Sequence, residues 1–525
     1  MPGNWGFVGP TYQSENPGAD AERCLNLYPE LIESQHPPTN SSLVYYHTPG
    51  TTLAATLGDT PVRALWAGNN VLFVLAGAHL YEVNTSTYAV EATYTLANPS
   101  GAGPGQIVFI PSGPGLTVAT SGALLVWDGS SGVGGGGSTY NNVWYVDGTT
   151  GTPPAVISGV GVGCIDGYGV VVRPGCSATA GAADPIPINT TDQTQFNLSA
   201  IFLAGPGEWD PLQFAIKTGA PDALQAIMTP GSNQGPGPEE LWLFGKQTTE
   251  VWYDTGGTSL DPFPFQRVPG AFISEGAWAA YSLAICNNMI CFLGGDQRGV
   301  GVVWAMNGYT PQRISNHAIE YAIQQTRSAG VDVSNAQAYS YQENGHAFYV
   351  LTFPGGRTFV ADFSCPDSSG RPMWHERALG STLGGLSASW QFHAFTGGQH
   401  FVGGDGTANV YVSSTSVYQD NGSAILRARI GPAVSQEQKW LIHGQFWLSV
   451  AGPYAGVSRT YALDWSNDGG NTYGNQFSLG LQVESTTGFG RIFMNNLGRS
   501  RQRNYRVQTT DNLPQCWLDA YVAIG

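Results

Sequence analysis

Lysine is nearly missing from this 525-residue chain: it occurs only at Lys217, Lys246 and Lys439, and charged residues of all kinds make up 11%. That is less than half of the roughly 25% usual in a soluble protein, so much of the surface is neutral. With a net charge of −16, the deficit argues against a general nucleic-acid binder, which needs clustered cations to release counterions from phosphate. An acidic wall suits a channel along which DNA slides, and it suits plain solubility equally well. No run of about eighteen apolar residues occurs, and Met1 to Pro10 lacks a basic stretch followed by an apolar core, so neither a membrane span nor an export signal is expected. The seven cysteines are odd in number and contain no CxxC pair, which fits neither a disulfide scaffold nor a zinc site; mostly buried thiols are expected. GxSxG, HExxH and Walker sequences are all missing.

What is abundant is glycine (71), proline (33) and apolar residues (42%, with 12% aromatic). Glycine supplies the positive φ that tight hairpins need, so the composition predicts an all-β fold. An apolar strand, a Gly-centred turn and a second strand recur at 71–83, 117–127, 164–173, 241–253, 289–304, 347–363 and 392–412. The spacing, very roughly 45 residues, is that of four-stranded propeller blades. Two copies read almost alike: Phe292-Leu-Gly-Gly-Asp296 before Val303-Trp304, and Phe401-Val-Gly-Gly-Asp405 before Val410-Tyr411. Between them lie Gly/Pro/Ser stretches at 98–106, 128–139, 174–187 and 229–238, expected as long loops. One short helix is predicted at 316–325, with Ser315 as its cap and Ile319, Ala322 and Ile323 on one face. After about Gly422 longer strands take over, at 424–430, 440–450, 460–466 and 505–510. The predicted organisation is an extended N-terminal segment (1–60) docking on a ring or adaptor, a propeller-like domain (61–422) and a C-terminal β-sandwich-like domain (423–525).

Few residues suggest chemistry. Arg499, Arg501 and Arg503 alternate and would project from one face of a strand, with Arg491 and Arg506 nearby. Three roles compete: contact with DNA phosphates in a lumen, pairing with carboxylates of a neighbouring subunit or adaptor, or solvation; pairing across subunits is favoured. The segment Ser466-Asn-Asp-Gly-Gly-Asn-Thr-Tyr473 fits the Asp-box of sialidases, where Asp468 and Gly470 would form a structural turn rather than a reacting group. The Gly-rich 132–137 satisfies GxGxxG formally but has no strand before it and no helix after it. His317 and Glu320 read as a polar helix face. The stretch Tyr140 to Tyr145, with Trp144, is either a core staple or a partner anchor.

Longer strings are more specific: Arg23-Cys-Leu-Asn-Leu-Tyr-Pro-Glu30, Glu240-Leu-Trp-Leu-Phe-Gly-Lys-Gln-Thr-Thr-Glu-Val-Trp-Tyr-Asp-Thr-Gly256, Phe263-Pro-Phe-Gln-Arg-Val268 with Gly270-Ala-Phe-Ile273, Asn307-Gly-Tyr-Thr-Pro-Gln-Arg-Ile-Ser315, Trp465-Ser-Asn-Asp-Gly-Gly470 and Leu497-Gly-Arg-Ser-Arg-Gln-Arg503. In this order they resemble the packaged-DNA stabilisation proteins of podoviruses, with a departure at the Gly-rich 132–137. The resemblance implies a tail hub, also called tail accessory factor or nozzle: a homohexameric ring below the portal and adaptor. Such a ring closes the DNA channel to retain the packaged genome and conducts DNA during ejection. Implied partners are other copies of the chain, the head-to-tail adaptor ring, a tail needle or plug, tailspike or fibre proteins, and viral double-stranded DNA that passes without sequence-specific binding. The implied location is the virion tail, after synthesis in the bacterial cytoplasm, with host-surface contact as part of the tail. No catalytic residue, cofactor or metal is expected. The rival reading is a glycan-binding or glycan-hydrolysing propeller, sialidase-like or receptor-binding.

Overall fold

A computed structural model describes residues 3–4, 6–33, 42–68, 70–96, 103–111, 116, 122–129, 142–149, 151–173, 194–210, 212–230, 240–257, 263–296, 299–452, 458–483 and 489–525. Short apolar strands joined by tight turns dominate it. Four of the hairpins turn at Asp166-Gly167, Asn287-Asn288, Asn344-Gly345 and Gly397-Gly398, each pair with both φ positive. That is the two-residue turn whose twist matches the strands it joins, and Asn, Asp and Gly are the residues that enter it at least cost.

The hairpins build a propeller. Four four-stranded sheets come first: blade 1 (62–95), blade 2 (106–157), blade 3 (161–216) and blade 4 (224–273). Blade 5 (276–313) is a five-stranded sheet, and blade 7 (392–414) belongs to a six-stranded one. Between these six separate sheets, a further meander, blade 6 (337–379), is the end of a twelve-stranded sheet. The innermost strands of all seven meanders surround one central cavity of 390 Å³, lined among others by Trp66, Phe109, Gly163, Ile227, Ile285, Tyr339 and His393. Apolar wedges fill the space between blades; that of blades 3 and 4 contains Val170, Phe196, Leu198, Leu241, Leu243 and Trp252. Each fully buried side chain of this kind contributes about 1.5–3 kcal/mol of burial. The all-β propeller predicted from the repeat is the fold observed.

The N-terminal segment behaves differently from the expected extended arm. Gly50–Thr56 pairs antiparallel with Asn409–Ser414 and so completes blade 7, which places it inside the propeller and closes the ring with strands from both ends of the repeat region. Ala21–Leu25 pairs antiparallel with Arg427–Ile430 and touches Pro372–Leu379 of blade 6 in parallel at Leu25 and Glu376. Leu27–Leu31 pairs with Leu43–His47, and the latter with Cys516–Ile524. The physical reason is edge satisfaction, since each strand covers backbone groups that an independent C-terminal domain would leave unpaired.

The C-terminal strands and these N-terminal ones form a sandwich of two sheets. One centres on Leu441–Ala451 and Cys516–Ile524, the other on Gln502–Thr509 and Thr460–Ser466. Phe7, Leu27, Tyr45, Phe446, Leu448, Tyr461, Leu463, Val507 and Trp517 pack between them. The second sheet runs on into blade 6, so the boundary expected at 423 is a continuous ladder. Polar groups hold this junction. Buried Glu376 accepts from Arg23 Nη2 at 2.9 Å and from Arg357. Asn26 Nδ2 donates to Ala378 O and Leu426 O at 2.9 and 2.8 Å, with its own φ at 52°. His346 of blade 6 lies 2.6 Å from Asp362 and 3.4 Å from Glu30.

Among the described residues the one α-helix is His317–Ser328. Its cap is Asn316, whose side chain accepts from Ile319 N, while Ser315 Oγ donates to Glu320 instead. The cap therefore falls one residue later than expected, and Ile319, Ala322 and Ile323 are buried as predicted. The six described cysteines are free thiols, five of them buried. The loops expected at 98–106, 128–139, 174–187 and 229–238 lie largely outside the described residues, as do Tyr140 and the Gly-rich 132–137.

Candidate functional site

The strand Leu441–Ala451 alternates strictly at its start: Leu441 and His443 point into the sandwich while Trp440 and Ile442 face outward, 56% and 62% exposed. The turn before it passes through Glu437 and Gln438, both at positive φ. Arg499–Ser500 pairs with this strand at Ile442 and Leu441. The guanidinium carbons of Arg499 and Arg501 lie 5.0 and 5.2 Å from the Trp440 ring centre, within cation–π range. An exposed tryptophan between two arginines therefore stands on the outer face of the sandwich.

The five arginines singled out in the sequence do not share one face. The strand Arg499–Ser500 belongs to one sheet and Gln502–Thr509 to the other, so the chain crosses the sandwich at Arg501 and the alternation is broken there. Arg499 and Arg501 are exposed, and so is Arg491, opposite Ser449. Arg503 is buried: it donates to Asn467 Oδ1 (2.8 Å) and Leu497 O (2.7 Å) and stacks on Trp465 at 5.1 Å. Arg506 donates to both oxygens of Asp464 and covers the Tyr473 ring at 3.8 Å. These last two hold the fold together. Trp440 went unnoticed as a site residue in the sequence, although the period-2 pattern that puts Leu441 inside puts it outside.

The Asp-box turn is a closed hydrogen-bond network. Asp468 accepts from Thr472 N at 2.9 Å and from the Ser466 and Thr472 hydroxyls at 2.6 and 2.5 Å, and Ser466 Oγ accepts from Gly470 N at 2.8 Å. The Ser466 hydroxyl, then the Thr472 hydroxyl and N–H, hold the Asp468 carboxyl down at about 2. Gly470 sits at φ 91°, which its lack of a Cβ permits.

Two further clusters bear on catalysis. Ser500 Oγ lies 2.8 Å from His443 Nε2, the contact of a nucleophile and its base, but His443 Nδ1 faces the Tyr505 hydroxyl at 2.9 Å where a triad would place a carboxylate. All three are buried in the sandwich core. Burial, then Arg503, lowers the imidazole to about 4. His317 and Glu320 form an ion-pair cluster with Arg313, at 2.6 Å for Arg313 Nε to Glu320. Trp144 is a buried core residue in the wedge between blades 1 and 2. Among the described residues no group of three His, Cys, Asp or Glu is placed to hold a metal, and no helix is long and apolar enough to cross a membrane.

Residues 188–417, from within blade 3 through the inner strands of blade 7, match the family model described as "Bacteriophage P22 Gp10, beta-propeller". No curated protein matches the chain.

Proposed function

We propose, from the match of residues 188–417 to the family model of the bacteriophage P22 Gp10 β-propeller, that this chain is a packaged-DNA stabilisation protein of the virion and the hub of a short tail. Six copies form a closed ring below the portal and adaptor, retain the packaged genome and conduct it on ejection. The work is mechanical, and no bond is made or broken.

The family match carries this reading, and the geometry supports it in two ways. The propeller's innermost strands converge on a cavity of 390 Å³ lined by side chains of all seven blades, and we place the DNA channel outside it, between copies. A ring also needs a surface that meets a different surface on the next copy. Trp440 with Arg499 and Arg501 supplies one: tryptophan and arginine lead interface hot spots, and a chain carrying −16 overall offers carboxylates to pair with them. The sandwich is then the part that faces a neighbour or the adaptor, and spikes, needle and host surface are met by the assembled tail.

The test is the mass of the pure chain in solution and its negative-stain image, with and without the adaptor. Six-fold rings support the hub. A chain that stays monomeric with adaptor present, or virions that lack it yet hold their DNA and infect, overturn it.

A further inference from the structure

At the hairpin end of blades 5, 6 and 7 the structure has a second opening that plays no part in the reading above. It is a pocket of 470 Å³ lined by Ile285, Cys286, Asn287, Asn288, Ser340, Tyr341, Gln342, His393, Phe395 and His400, within the roughly 300–1,000 Å³ of small-ligand sites. Its described lining carries neither a lysine or arginine to hold an anion nor a carboxylate to hold a cation.

What it carries instead is a ring platform and groups that both give and accept hydrogen bonds. Phe395 is 56% exposed at the rim, its ring 4.7 Å from that of His400. The Asn287-Asn288 turn, with φ of 49° and 59°, presents two exposed amides side by side, and exposed Gln342 adds a third. Deeper in, Tyr341 is nine-tenths buried, and the neighbouring Arg377 guanidinium stacks over its ring at 5.2 Å. His393 Nε2 and His400 Nδ1 are 2.9 Å apart. Burial holds both imidazoles below their ordinary value, His393 at about 3. At neutral pH the pair is thus uncharged and shares one N–H. Whichever ring donates it, the pair keeps one further N–H and one further lone pair for a ligand. A hydroxyl group, which donates and accepts at once, is the complement of that arrangement.

We propose that this pocket binds a neutral pyranose sugar, its C–H face on Phe395 and its hydroxyls held by Asn287, Asn288, Gln342 and the His393–His400 pair. A saccharide joins an apolar ring face to a rim of hydroxyls, and the pocket sets an exposed phenyl beside uncharged amides and imidazoles in the same way. The site stands on its own geometry, and a chain that failed to form a ring would bind equally.

The experiment is saturation-transfer NMR of the full chain with glucose, galactose, mannose, rhamnose and N-acetylglucosamine in turn, and with the anionic N-acetylneuraminic acid for contrast, followed by calorimetry of any that respond. At least one neutral sugar is expected to show transfer, with affinity falling about tenfold in Phe395→Ala and in the double variant Asn287→Gly/Asn288→Gly, a loss the size of one or two ordinary contacts. Glycine keeps the turn's positive φ while removing both amides, and Phe395 is exposed, so neither change threatens folding. Silence from every sugar, binding untouched by both variants, or binding of N-acetylneuraminic acid alone overturns the proposal.

Discussion

The wedge between blades 3 and 4 and the junction between blade 6 and the sandwich bury comparable depths of chain by opposite means. The centre of the wedge is apolar: Val170, Leu198, Leu241 and Leu243 meet there, and the buried charge beside it, Glu250, lies at its edge where Trp252 Nε1 donates to it. The junction is built from Glu376 clamped by Arg23 and Arg357, Asn26 reaching two carbonyls, and His346 between Asp362 and Glu30. Hydrophobic contact is non-directional and forgives a change of shape. A buried charge does not forgive the loss of its partner. The centre of that wedge is therefore tolerant of change, and the tie between blade 6 and the sandwich is the conditional one.

The sharpest way to break that contrast is a pair of isosteric changes. Glu376→Gln keeps the shape but strands two guanidiniums beside a neutral amide, and is expected to cost about 3–5 kcal/mol, read as a loss of the sandwich transition in urea unfolding. Leu243→Met keeps volume in the wedge and is expected to cost less than about 1.5 kcal/mol. Equal costs would abolish the distinction. Leu243→Ala sharpens it from the other side: emptying the wedge is expected to cost about 2–5 kcal/mol, all of it in the propeller.

The junction is also the pH-dependent half, in two windows of opposite sign. Burial alone would raise the Glu376 carboxyl, but Arg23 and Arg357 outweigh it and hold the group below its ordinary 4.5. Its contribution is complete above that value and is lost as pH falls through the lowered one. Burial would lower His346, but Asp362 and then Glu30 raise it above 6.5. Its contribution is complete below 6.5 and is lost as pH rises through the raised value. Hydrogen-exchange protection factors at 21–31 and 372–379, taken relative to the intrinsic rate at each pH, should therefore fall at both pH extremes while those of the 241–245 amides hold. Uniform behaviour of the two regions would contradict this.

The two regions also differ in how far they could be read from sequence. The blades were legible because their pairing is local: Phe292 and Phe401 sit in hairpins whose strands are consecutive, and the Gly-Gly-Asp strings repeat with them. The junction was not, because Cys24 pairs with Arg429 and Thr51 with Ser413, and nothing within a window around Cys24 names a partner some four hundred residues away. The arginine cluster shows the same limit on a smaller scale. Alternation from Arg499 to Arg503 assumes one strand, and the chain changes sheet at Arg501, which sends Arg503 inward and leaves Arg499 and Arg501 beside Trp440.

The smallest expected effect on folding falls at that last pair, and there the comparison turns from stability to assembly. Trp440 and Arg499 touch solvent and each other, so Trp440→Ala and Arg499→Glu are expected to move the melting free energy of the isolated chain by no more than about 0.5 kcal/mol. If the patch meets another copy or the adaptor, the same changes remove a ring from its contact and reverse a charge against a carboxylate, each ordinarily worth about 2 kcal/mol or more at an interface core. Light scattering of the variants should then show smaller assemblies at unchanged melting temperature. A lowered melting temperature with intact assembly would make Trp440 a part of the sandwich, and the surface between copies would have to be sought elsewhere on the chain.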